Sequence, residues 1–306
     1  MIKPRKFIAN IAAAFFISPD ARRRVRRKIL ENKRVKTVYS IDNADGLKNV
    51  EKIMPGRFDD YDLIFSVGVD CRMVEVLIHL GLRSFSSPLD WTAAISPLGL
   101  EIVPRLQRDS AFKQKLDAIV GEFKDWFNFK DFVVGGSTFW PGANGETQII
   151  FNTATGVRFG HLFPANESWE RYYPIARDKI MHRADRLVRA IKASDRILIC
   201  WGHRLGDHRN LMDKPVSDRD IKNALKKLIK KYPGRQFDLV FFEHDGCLDR
   251  YEYRKIEVCP GARRIFSNHF YFNDESRLAS PVMHKALTNV SLSGKLDGIL
   301  SDKKEA

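Results

Sequence analysis

The chain is poor in the features that most quickly identify a protein. Only four cysteines occur in 306 residues, Cys71, Cys200, Cys247 and Cys259, and no two are arranged as CxxC. That spacing argues against a zinc knuckle, and a chain this long needs no disulfide scaffold, so free thiols in a reducing compartment are expected. There is no GxGxxG, no GxxxxGKS or GxxxxGKT, no GxSxG and no HExxH. A standard nucleotide loop, a nucleophile elbow and a zinc-protease helix are therefore disfavoured, and neither a cofactor nor a metal is expected. Repeats and long low-complexity linkers are also missing.

Acids are scarce at one end. Residues 1–36 hold twelve Lys or Arg against Asp20 and Glu31, a net +10 of the total +14, so the body of the chain carries an ordinary +4. The opening MIKPRKFIANIAAAFFISP has the outline of a signal peptide, but Asn10 interrupts its apolar stretch and Arg22, Arg23, Arg24, Arg26, Arg27 and Lys28 follow closely. Positive charge in that place resists translocation. The stretch Phe7–Ile17 has eleven residues, short of the roughly 20 that span a bilayer. Residues 1–36 read instead as a basic amphipathic N-terminal helical segment, with Phe7, Ile8, Ile11, Phe15 and Phe16 on one face. It either docks on an anionic membrane surface, packs on the domain or stays solvated. Nucleic acid is the least favoured partner, because no binding module accompanies the charge. The location expected is cytoplasmic, at the inner face of the membrane if the segment engages lipid.

What is present suits a large core. Hydrophobic residues make up 44% and aromatics 11% of the chain, so residues 37–306 are read as a single α/β domain. Asp62–Val67, Arg196–Trp201 and Phe237–Phe242 are apolar runs of strand length. Between them Cys71–Leu80 reads as a helix with Asp70 as N-cap and Gly81 as its stop. Further helices are expected from about Ser110, from about Pro174 to Lys192, and from a capping box at Ser217 and Asp220 to Lys231. TQIIFNTATGVRFGHLF reads as a hairpin turning at Asn152–Gly156. The fold class expected is a three-layer α/β sandwich with a mostly parallel sheet, the hairpin being an addition to that sheet. Functional residues gather beyond the carboxyl ends of such strands. Gly68–Cys71, His161, Gly202–His203 and Glu243–Asp245 are therefore expected at one edge.

Cys71 stands where an apolar strand passes into a helix. Backbone N–H groups at a helix start favour a thiolate, and Arg72 acts in the same direction while Asp70 opposes it. Position alone leaves three readings open: a packed core thiol, a metal ligand, or a nucleophile. His161, late in the VRFGHLF strand, is a candidate general base or a hydrogen-bonded core histidine. CWGHRLGDHRN, with His203 and His208, and FEHDGCLD, with Glu243, His244, Asp245 and Cys247, match no standard metal spacing. Asp245 is a candidate to orient a base histidine.

The stretch YDLIFSVGVDCRMVEVLIHLGLRSFSSPLDW, Tyr61–Trp91, resembles the signature of a bacterial family of uncharacterised function described as papain-like cysteine peptidases. The resemblance is carried by Ser66, Gly68 and Cys71 after a strand, by Gly81-Leu82-Arg83, and by Ser87-Pro88-Leu89-Asp90-Trp91. Weaker matches are His161-Leu162-Phe163 and the Arg-rich His182–Ile199, so it covers roughly residues 60–245. Two positions depart from the pattern: Leu89 replaces a Phe, and Leu162 stands where an Asp is common. The resemblance implies a papain-like α+β fold as the alternative architecture, with Cys71 as nucleophile and His161 as base. Candidate substrate-binding residues are Ser66, Gly68, Arg83, Asp90 and Trp91. Proteins of this look accompany surface-polysaccharide genes. Two function classes follow: a thiol-dependent hydrolase or acyl transferase acting on a peptide, acyl or glycan-linked substrate, and a glycan-related transferase or assembly protein in which Cys71 only packs.

Overall fold

The computed structural model describes residues 39–40, 59–68, 72–94, 110–139, 145–202, 216–245, 247–248, 252–267, 281–288 and 290–296. The basic segment 1–36, Asp70, Cys71, His203 and His208 lie outside the described residues. Twelve strands are described. The first six are β1 (Tyr39–Ser40), β2 (Asp59–Tyr61), β3 (Leu63–Ser66), β4 (Thr92–Ala94), β5 (Phe132–Phe139) and β6 (Glu146–Asn152). They are followed by β7 (Val157–Pro164), β8 (Arg196–Gly202), β9 (Gln236–His244), β10 (Glu252–Cys259), β11 (Ala262–Ser267) and β12 (Val290–Leu292). The helices are α1 (Arg72–His79), α2 (Ala111–Val120), α3 (Trp169–Ala193), α4 (Asp218–Lys231) and α5 (Pro281–Thr288).

The molecule is mixed α/β with several sheets. The largest has six strands in the order β1-β10-β11-β9-β8-β3. Neighbours β3, β8, β9 and β11 are parallel, whereas β10 pairs antiparallel with both β11 and β1 at one edge, so the sheet is mixed. The hairpin expected near 147–163 forms as β6 and β7, but it does not extend this sheet. It belongs to a separate antiparallel sheet in the order β4-β7-β6-β5. The reason is local: β4 and β5 come from the intervening chain and occupy both edges of the hairpin. A short parallel pair, β12 with β2, completes the strands described.

The central strands are mostly apolar because both of their faces are covered. Successive side chains go to opposite faces. Leu63, Phe65, Val67, Ile197, Ile199, Trp201, Leu239 and Phe241 join one cluster with α2, α3, α4 and the second sheet. Ile64, Leu198, Cys200, Val240 and Phe242 join another with Met73, Val76 and Leu77 of α1 and Val282, Met283, Ala286 and Leu287 of α5. Each such side chain, fully buried, contributes about 1.5–3 kcal/mol against exposure.

The punctuation of the helices follows the sequence closely, with one shift. Gly81 ends α1 at φ +67°. Its N–H donates to Ile78 O at 3.0 Å and the Leu82 N–H to Leu77 O at 2.8 Å, the bond pair of a Schellman motif. Ser217 and Asp220 form the expected capping box at the start of α4. Helix α3, by contrast, starts at Trp169 and not at Pro174, which stands inside it. Pro174 removes one backbone donor, but Trp169, Tyr172 and Tyr173 pack on the core and hold the extra turn.

Candidate functional site

Strand β3 leaves the sheet through Val67 and Gly68. The Val67 N–H still donates to Cys200 O at 2.9 Å, and the Gly68 N–H turns back to Ser66 Oγ at 3.0 Å. Ser66 is buried, so its hydroxyl shapes the strand exit and presents no open surface. Three residues after Gly68 comes Cys71, immediately ahead of α1. Because β3, β8 and β9 are parallel, Gly68, Gly202 and Glu243–Asp245 leave the sheet at one edge, as expected. His161 does not belong to that sheet; it is carried on β7 of the second one.

The Ser-Pro-Leu-Asp-Trp stretch is a self-contained turn. Asp90 is 3% exposed. It accepts from Arg83 Nε at 3.0 Å, from the Ser87 N–H at 2.9 Å and from Ser87 Oγ at 2.6 Å, with Arg83 Nη2 also at 2.9 Å. From α3, Arg186 donates to Ser86 O at 3.0 Å and lies over the Phe85 ring. Arg83 and Asp90 are thus committed to each other and to the turn. Trp91 is different. It is half-buried, and its ring meets His161 edge-on, with centroids 5.7 Å apart. Strand β4 begins at the next residue and pairs with β7, Thr92 opposite Phe159.

His161 is also half-buried. Burial lowers its pKa from 6.5, and the nearby Arg158 charge lowers it further. The imidazole is therefore neutral at pH 7 and can accept a proton. Asp245 is engaged elsewhere. Its carboxylate accepts the Cys247 N–H at 3.0 Å and pairs with Arg254 at 2.7 Å, on the side of the sheet edge occupied by β10.

Two groups bearing on this region escaped the sequence reading. Lys115 on α2 is 0% exposed. Its Nζ donates to Gly68 O at 2.5 Å and to Thr92 O at 3.3 Å, so it ties the exit of β3 to the start of β4. A signal for it existed: Lys115 falls on the same helical face as Phe112, Leu116 and Ile119. The second is Arg264 on β11, buried against Glu243 and bonded also to Asp218 and to Val216 O. Burial holds the Glu243 carboxyl above its ordinary range, and Arg264 offsets only part of that rise. This cluster pins the start of α4 to β9 and β11.

Among the described residues, Cys200, Cys247 and Cys259 form no disulfide. Cys200 is fully buried with its pKa pushed far up by desolvation, and desolvation also raises that of Cys259. Among the described residues, no three His, Cys, Asp or Glu side chains are grouped to hold a metal ion. The chain matches no protein-family model, and neither curated proteins nor solved structures give a significant match, so what the site can do is argued from its own residues.

Proposed function

We propose that the protein is a thiol-dependent enzyme of the Cys–His kind that transfers or hydrolyses acyl groups. Cys71 is the nucleophile and His161 the general base. The observation that carries this reading is the double hydrogen bond of Lys115: it brings the strand exit leading to Cys71 beside the segment where Trp91 meets His161. His161 takes the thiol proton, and the thiolate attacks the acyl carbon. Backbone N–H groups at the start of α1 hold the oxyanion, and collapse returns the proton to the leaving group. Water, or an acceptor nucleophile, then takes the acyl group with His161 again as base. No third member is assigned, since Asp245 is held by Arg254.

The likeness of Tyr61–Trp91 to papain-like cysteine peptidases supports the same roles. A peptide, an acyl ester or an acylated glycan is the substrate class proposed. The glycan-related reading without thiol chemistry has less to draw on, because Arg83 and Asp90 already satisfy one another. The helices on both faces of the large sheet support a three-layer sandwich as the architecture. No described helix is long and apolar enough to cross a membrane. We place the enzyme in a reducing cytoplasm, with residues 1–36 docking on an anionic inner leaflet.

Alkylation of the native protein across pH, with peptide mapping of all four cysteines, tests the proposal. Cys71 is expected to react alone and fast below about pH 7, under the ordinary thiol value of about 8.5. A Cys71 protected until the protein unfolds is a core residue, and the proposal falls.

A further inference from the structure

Helix α4 carries the net charge of the body of the chain. Residues 37–306 hold +4, and the six Lys or Arg of α4 against Asp218 and Asp220 supply all of it. The charge is sorted by face. Ile221, Ala224, Leu225 and Leu228 are buried in the core. Lys222, Lys226 and Lys230, four residues apart, line the opposite, exposed face over about 12 Å. The charges around them are matched: Lys227 pairs with Asp117, Lys231 with Glu122, Asp218 with Arg264 and Glu257 with Arg263, while Asp220 caps the helix. Lys222, Lys226 and Lys230 have no acid at ion-pair distance among the described residues. Like charges at this spacing oppose a helix, and alternating signs would stabilise it. A merely solvated face needs no such alignment.

We infer that this face of α4 is a docking surface for an anionic membrane leaflet, a second contact that orients the domain when residues 1–36 engage lipid. It is independent of the thiol chemistry and rests on the tether proposed above. Charge complementarity sets the sign of the partner, and the residue types set its kind. Lysine is a hydrated point charge on a flexible stem and suits diffuse headgroups, whereas the planar fork of arginine grips single phosphates or carboxylates. Surfaces for single-stranded nucleic acid interleave aromatics with their cations, and α4 holds no aromatic residue. Ile229, 49% exposed beside Lys230, offers instead an apolar contact at headgroup level. Placement agrees. Helix α4 packs over β9, β10 and β11, and Lys222 and Lys226 act electrostatically on Cys259 at the end of β10. Strand β1, which begins three residues beyond Lys36, pairs with the same β10. Three lysines alone are a weak hold; linked to the basic segment they act as an intramolecular second contact.

The test is sedimentation of the full chain with vesicles of equal parts phosphatidylserine and phosphatidylcholine, beside binding titrations with a DNA duplex and with polyglutamate. The combined variant Lys222→Gln, Lys226→Gln, Lys230→Gln is compared with a charge-matched control, Lys124→Gln, Lys130→Gln, Lys179→Gln, at exposed positions outside α4. One cation near an anionic leaflet is worth about fivefold in affinity. The α4 variant is therefore expected to bind the vesicles at least about tenfold more weakly, and the control within about threefold of wild type. The α4 variant is also expected to melt at or above the wild-type temperature, because like-charge repulsion is relieved. Lys226→Glu alone, with an expected loss of about fivefold or more, carries the comparison should the combined variant fail to fold. An α4 variant that binds the vesicles like wild type, or a control that weakens as much, overturns the surface and leaves the tether of residues 1–36 standing. Unchanged vesicle binding with loss of binding to DNA or polyglutamate gives the face a different acidic partner and overturns the leaflet. A wild-type chain that does not sediment with the vesicles overturns surface and tether together.

Discussion

At the scale of single residues, the turn before β4 shows how a polar pattern is consumed by structure. Asp90 has its oxygens filled by Arg83 and Ser87. Asp90→Ala leaves Arg83 and the Ser87 amide without their acceptor, and is expected to cost about 3 kcal/mol in urea unfolding. His161 makes a pH prediction. Its folded pKa lies below the 6.5 of the free group, chiefly through burial. As pH falls through 6.5 the unfolded chain takes up a proton that the fold does not, so stability declines until the folded pKa is passed. Chemical denaturation between pH 7 and pH 5 should show this decline, and His161→Gln should flatten it. A slope unaffected by that substitution would assign the acid sensitivity to other groups.

At the scale of elements, the helix ends are where local chemistry decides most. The Schellman motif at Gly81 needs φ +67°, and a Cβ added there meets nothing within 4 Å. The penalty of Gly81→Ala is therefore conformational and not steric, about 1 kcal/mol, and a thermal melt measures it. The capping box at Ser217 and the Gly81 stop were both legible, since each is a short-range pattern of residue types. The hairpin of β10 and β11 was not read, although Pro260-Gly261 marks its turn and Gly261 has φ +79°. Its strands, EYRKIEVC and ARRIFS, are rich in Arg and Lys, which obscures the apolar alternation.

At the scale of the whole molecule, two sheets meet around one apolar cluster that joins Phe159 and Phe163 of β7 to Ile197 and Trp201 of β8. That junction packs β7, the strand that carries His161, in one core with the large sheet. The charge distribution acts at the same scale. Twelve of the chain's cations fall in residues 1–36, each worth about 1 kcal/mol near an anionic leaflet. Deleting residues 1–36 is expected to abolish sedimentation with phosphatidylserine vesicles while leaving the melting temperature unchanged. Retained binding removes the tether.

The amino-acid sequence by itself determined the buried strands β3, β8 and β9, the Gly81 stop of α1, the capping box of α4, and the candidacy of Cys71 and His161. These rest on period, on turn chemistry and on residue type, which act over a few neighbours. Only the tertiary structure decided that β6 and β7 form a sheet apart, that Arg83 and Asp90 satisfy each other, that Asp245 belongs to Arg254, and that Lys115 bridges Gly68 and Thr92. The reason is physical: whether a strand pairs and whether a charge is free or matched depends on which partners the fold brings within hydrogen-bonding distance, and those partners lie 23 and 47 residues away for Lys115 alone.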